Sequence, residues 1–245
     1  MSEEYNNPPI VEVVCECRLT RDSTWDLATP GLIYEEVREK FPNKERHQTP
    51  DVKSPAGQQG MPQQEPHSLE YVQFYTDDKK AYIQVAPHLV SLNCLKPYPR
   101  WEGFRPMIET VFDAMVNTIN VIGFERIGLR YINRIEIPRK SFSLDDYFDF
   151  RPFLSKKLPR DMTNFFVGCI FPYSHDRDLC KVQLTMVAPE KPECVAFILD
   201  LDYYLARPDT VSINQAMDWV EEAHEHVKEL FEGCIKDNLR TLFQK

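Results

Sequence analysis

Hydrophobic and polar positions in this chain follow two periods, and the switches between them divide it into elements. From Phe124 to Pro138 (FERIGLRYINRIEIP) the period is two. Ile127, Leu129, Tyr131, Ile135 and Ile137 fall on one side and Arg126, Arg130, Arg134 and Glu136 on the other, which predicts a long half-buried strand. Asn133 sits in the apolar row, where a buried amide needs hydrogen-bond partners. The same alternation in Val11, Val13, Cys15, Cys17 and Leu19 predicts a strand opening after Pro9. Further strands are predicted over Leu69–Tyr75, Ala81–Ala86 and Leu89–Leu95, with Thr76–Lys79 as a turn. Three more follow over Asn164–Pro172, Leu179–Val187 and Cys194–Leu201.

Helical spacing appears in three places. Ile33, Val37 and Phe41 form one stripe, opened by Thr29-Pro30 and stopped by Pro42. Phe104, Ile108, Val111, Phe112, Met115 and Ile119 form a second. Ser212 caps a third, which carries Ile213, Met217, Val220, Val227, Leu230, Phe231, Cys234, Ile235, Leu239 and Leu242. Unbroken to Phe243 it would be ~45 Å long, so it should span two lobes, bend near Gly233 or reach a second subunit. Ser143-Leu144-Asp145-Asp146 opens a short segment. Between Pro42 and Ser68 prolines, glutamines and glycines replace the apolar pattern, and the stretch reads as a loop, disordered or functional.

Each half reads as a strand, a short helix, three strands and a longer helix. The expected fold is α+β: two pseudo-repeated lobes, mainly antiparallel sheet with helices on one face. The lobes would cover residues 1–122, with the loop 42–68, and residues 123–245, packing as one compact unit. The order of elements is similar to that of each repeat of the TATA-binding protein, a likeness of topology that carries no function.

Composition narrows the classes. The 245 residues are 42% hydrophobic, enough for a sizeable core. A formal net charge of −9 disfavours broad nucleic-acid binding unless a local basic patch overrides it. Seven cysteines without a CxxC pair read as reduced thiols, the first residues lack the pattern of a signal peptide, and no apolar stretch approaches a membrane span. These features point to a cytoplasmic protein.

Several blocks carry a family resemblance: NPPIVEVVCE, TPGLIYEEVREKFP, VAPHLVSLNCLKPYPRWEGF, RIGLRYINRIEIP and WVEEAHEHVKELFEGCIKDNLRTLF. Together they make the chain similar, over nearly its full length, to a sporadically distributed bacterial family of uncharacterised proteins. The resemblance implies a bacterial or archaeal cytosolic protein and no catalytic residues. Patchy distribution is associated with accessory genes, such as phage-defence components or toxin-neutralising partners.

Candidate chemistry is sparse. Arg126, Arg130 and Arg134, with Asn133 beside them, could clamp an anionic ligand in a cleft between lobes; the alternative is pairing with acids such as Glu12 and Glu16, which so acidic a chain favours. Tyr98, Arg100 and Trp101 could form a partner-binding or base-stacking platform, or a rigid loop whose Trp101 plugs the core. Asp200 and Asp202 are a weak cation motif. His224 and His226 cannot chelate together on a helix and read as structural or solvated. Cys169 and Cys180 could be cross-strand neighbours. No nucleophile signature or phosphate-cradling glycine loop occurs, so no cofactor, metal or catalytic residue is expected. The expectation is a non-enzymatic binding or regulatory protein working through a protein partner or self-association of the terminal helix. An enzyme or sensor for a small anion is the alternative, and a saddle-like nucleic-acid binder a third reading.

Overall fold

The computed structural model describes residues 5–48, 70–140, 142–159 and 162–244. The strands are β1 (Ile10–Leu19), β2 (Asn43–Gln48), β3 (Glu70–Tyr75), β4 (Ala81–Ala86), β5 (Leu89–Leu95), β6 (Phe124–Pro138), β7 (Phe166–Tyr173), β8 (Asp178–Val187) and β9 (Cys194–Leu205). The helices are α1 (Thr29–Val37), α2 (Arg100–Thr118), α3 (Ala216–Cys234) and α4 (Asp237–Phe243). All nine strands form one sheet in the order β2-β3-β4-β5-β1-β6-β9-β8-β7, and every pairing is antiparallel. The fold is therefore α+β. Outward from the β1–β6 seam the order is β1-β5-β4-β3-β2 on one side and β6-β9-β8-β7 on the other.

Alternation decides which way each strand faces. Val13, Cys15 and Leu19 of β1, Ile127, Leu129, Tyr131, Ile135 and Ile137 of β6, and Leu199, Leu201 and Tyr203 of β9 are buried on one face. There they meet Phe104, Ile108 and Met115 of α2 and Trp219, Val220 and Val227 of α3 in one continuous core. At ~25 cal/mol per Å² of apolar surface this burial is the main stabilising contribution. No helix is long and apolar enough to cross a membrane, among the described residues.

Two expectations change, and one open choice is decided. The stretch read as a loop from Pro42 opens with strand β2, whose backbone pairs with β3 from Asn43↔Tyr75 to Gln48↔Glu70; the rest of that stretch, and Leu69, lie outside the described residues. The terminal helix takes the second of its three options and breaks beside Gly233, into α3 and α4. Ile235 leaves helical geometry and forms a bridge with Phe148, while the Cys234 carbonyl accepts the Asp149 and Phe150 N–H groups at 2.9 and 3.2 Å. The two halves also differ in content: the first has the additional strand β2, and the second has a three-residue 3-10 turn, Leu144–Asp146, where the first has α1.

The sheet's two edges contrast. Along β2, Lys79 is 2.8 Å from Glu45, and Arg46 pairs with Glu70. Along β7, Phe166, Ile170 and Phe171 are 62%, 57% and 37% exposed.

Candidate functional site

A cavity of about 240 Å³ lies between the first turn of α2, the middle of β6 and the face of α3, closed on one side by residues Tyr5–Ile10. Strand and helix periodicity supply its walls. Tyr131 and Asn133 are two apart on β6, so both face the helices. On α3, His224 falls on the stripe defined by Val220 and Val227. Arg100 begins α2 with φ of +64°, a left-handed conformation uncommon for a side-chain-bearing residue; the chain turns there and brings Tyr98 and Trp101 to the same cavity.

A hydrogen-bonded chain runs through the wall. The Tyr98 and Tyr131 hydroxyls are 3.1 Å apart, and the Tyr131 hydroxyl is 2.9 Å from His224 Nδ1. Trp101 stacks on the His224 ring at 4.0 Å between centroids with 3° between planes. Its Nε1–H donates to Glu221 at 2.9 Å, and Arg105 donates to the other Glu221 oxygen at 2.7 Å. Partial burial opposes the Glu221 charge, but these two donors outweigh it and hold the carboxyl below its ordinary value. Trp101 and His224 are thus fixed in orientation before any ligand arrives.

Two polar groups of this wall stay open. Asn133, only 2% exposed, donates through Nδ2 to the Leu199 carbonyl at 3.1 Å, and its Oδ1 accepts no hydrogen bond among the described residues. His224 spends Nδ1 on Tyr131, and its Nε2 likewise has no partner among them. If Tyr131 donates to Nδ1, Nε2 carries the proton and offers a donor; if Nδ1 donates to Tyr131, Nε2 is an acceptor. Both tautomers satisfy the Tyr98–Tyr131 contact, because that pair of hydroxyls reverses direction with the ring.

The same burial sets the ionisation. His224 is pushed down to about 4, and the Tyr98 and Tyr131 hydroxyls are pushed up. All three are neutral near pH 7, far from the matched values that efficient proton transfer requires. Buried thiols behave alike: Cys17, Cys180 and Cys234 are each raised to about 12 by burial, away from thiolate chemistry.

The structure thus brings Asn133, Tyr98, Arg100 and Trp101 to one cavity and places Arg126, Arg130 and Arg134 on the opposite face of the sheet. Arg126 contacts Glu16 at 3.1 Å and Asp202 at 2.7 Å, and lies 4.3 Å over the Tyr204 ring. Gly128 makes room for this reach, since a Cβ there would stand 3.1 Å from the Arg126 guanidinium. Arg130 holds both Asp200 oxygens at 2.8 and 2.6 Å, and Arg134 contacts Glu136 at 3.2 Å and Glu190 at 3.1 Å. Asp200 and Asp202 are therefore the arginines' partners, not a free pair. Cys169 pairs across the hairpin with Val182, and Cys180 with Phe171, so the two thiols are offset rather than opposite. No group of three or more metal-ligating side chains gathers among the described residues.

Sequence reasoning missed His224 and Tyr131 as site residues. The signal for His224 was its place on the apolar stripe of α3. For Tyr131 it was a hydroxyl in a buried row, which must find a partner.

Set against protein-family models, curated proteins and solved structures, the chain matches none of them.

Proposed function

We propose that this chain is a non-enzymatic binding protein whose ligand is a small molecule held between α2, β6 and α3. The observation that carries this is the pair of open polar groups, Asn133 Oδ1 and His224 Nε2, in a cavity lined mainly by apolar and aromatic side chains, with charged residues of α2 and α3 among its lining. A few convergent polar groups in an apolar cavity are the ordinary make-up of a ligand site. Binding is favoured over catalysis because burial holds Tyr98, Tyr131 and His224 in their neutral forms, with ionisation moved far from pH 7 in each.

An anion clamp on the opposite face is less well supported, because the three guanidinium groups already hold carboxylates. Nor does the apolar stripe of α3 suit a protein partner, since Trp219, Val220, Ala223 and Val227 are spent on the core. The pseudo-repeat belongs to the same proposal: the mirrored strand order on the two sides of the β1–β6 seam supports it, and the extra strand and missing helix limit it.

The test is a fragment screen by NMR, followed through the indole N–H of Trp101, one of three tryptophans. Binders should shift the Trp101 resonance and lose affinity in Tyr131→Phe. A screen whose binders all leave Trp101 unmoved would sink the reading.

A further inference from the structure

The chemistry of the cavity goes further than the fact of binding. Resting on the binding reading above, we infer that the occupant is an uncharged, flat, heteroaromatic ring that carries hydrogen-bonding atoms on its edge. Three observations converge on that class. The first is shape: Tyr98, Trp101 and Tyr131 contribute aromatic surface, and Trp101 and His224 already form a rigid stacked pair. Flat rings gain most from such walls, through offset-stacked and edge contacts. A volume near 240 Å³ suits a bicyclic ring, given that cavities of about 150 Å³ accept benzene.

The second is charge. The inner polar groups are a carboxamide, two hydroxyls and a neutral imidazole. An ionised group pushed among them would lose its hydration, a loss these neutral groups do not repay. The charged residues of the site, Arg100, Glu102, Glu225, Lys228 and Glu232, carry both signs and belong to the helix ends and faces that border it. They give no single-sign field to draw an acid or a base inward.

The third is hydrogen bonding. Asn133 is 2% exposed and leaves Oδ1 unpaired among the described residues, so it presents an acceptor that a dry apolar occupant would strand. His224 Nε2 presents a donor or an acceptor according to the direction of the Tyr98–Tyr131–His224 chain. A ring with a lactam, hydroxyl or ring nitrogen at its edge satisfies these groups, and the reversible chain tolerates either polarity at the His224 end.

The experiment titrates four probes of similar size against the full chain, following the Trp101 indole resonance. Quinolin-2-one and 6-hydroxyquinoline are neutral, with polar atoms on one edge or at opposite ends. Naphthalene is apolar, and 2-naphthoate is an anion. At least one neutral heterocycle should bind at least about tenfold more tightly than naphthalene and 2-naphthoate, the loss expected when one buried polar group goes unsatisfied. Asn133→Leu should abolish that preference and leave naphthalene binding intact; Tyr131→Phe, which keeps the ring, serves where the leucine variant folds poorly. Tightest binding of 2-naphthoate, weakened by Lys228→Gln, would overturn the inference in favour of an anion. Equal binding of naphthalene would overturn it in favour of a purely apolar occupant. Both outcomes keep the binding function; silence of Trp101 with all four probes and with the fragment screen overturns function and ligand class together.

Discussion

Asp178 opens β8 fully buried, and three elements converge on its carboxylate. Trp219 of α3 donates to Oδ1 at 2.9 Å, Tyr203 of β9 donates to Oδ2 at 3.3 Å, and Arg177 donates to Oδ2 through Nε at 3.0 Å and Nη2 at 2.6 Å. Replacing it by alanine strands two donors that water cannot reach, since Trp219 is 3% and Tyr203 0% exposed. Each stranded donor costs about 1–3 kcal/mol. The Arg177 side chain is 29% exposed and regains water, so it adds little. Asp178→Ala should therefore destabilise by about 4 kcal/mol, a large share of the 5–15 kcal/mol typical of a domain. Asp178→Asn keeps an acceptor for Trp219 and should cost about half as much. Urea unfolding followed by far-UV circular dichroism, extrapolated linearly to water, measures both. An alanine variant within about 1 kcal/mol of the parent, or an asparagine variant equally damaged, would refute the role of Asp178 as the acceptor for these buried donors.

Other expectations follow from the same geometry. His224 titrates near 4 when folded against its ordinary 6.5, so on acidification the unfolded chain takes the proton first. Its contribution is whole above about pH 6.5 and declines toward pH 4, by about 3 kcal/mol; His224→Gln should remove that part of the acid sensitivity in urea titrations at pH 7 and 4.5. Among the cysteines only Cys169 is exposed, so a thiol reagent such as Ellman's should label it rapidly in the native protein and label all seven only in denaturant. Fast labelling of Cys15 or Cys17 would contradict the buried seam. Arg130 is 44% exposed but its partner Asp200 only 13%, so Arg130→Ala should cost about 1–3 kcal/mol, by stranding that carboxylate, and leave probe affinity at Trp101 unchanged.

Much of the sheet was legible because most of its strands are half-buried, and a half-buried strand writes its register into the sequence. The bounds Ala81–Ala86, Leu89–Leu95 and Phe124–Pro138 match those expected residue for residue, although β5 is buried on both faces from Val90 to Cys94. Strand β2 was illegible for the complementary reason. NKERHQ has no apolar row to read, and what holds it is backbone pairing with β3. A bend near Gly233 was one of the options for the terminal helix, but the choice among them was not legible, because Ile235 continues the helical stripe while its burial comes from the bridge to Phe148. At the site, Asn133 and the Tyr98–Trp101 block each stood out, but as members of two separate candidates. Their meeting depends on how α2 and α3 settle on β6, which local periodicity does not encode. The arginine row was visible as a row; the acids that occupy it come partly from β9, whose neighbour in the sheet a linear reading did not supply.

The unlike edges of the sheet give the molecule a direction of growth. A strand edge is a template for another strand, and charge is one way a chain refuses that role. β2 is so defended, whereas β7 pairs only with β8 among the described residues and carries exposed Phe166, Ile170 and Phe171. Concentrated solutions should therefore fail end to end, through β7 and not β2, and self-limit at pairs of molecules joined edge to edge rather than extend into fibres. One lysine, Ile170→Lys, should close that end, raising the concentration at which light scattering first increases without altering the unfolding midpoint by more than a degree or two.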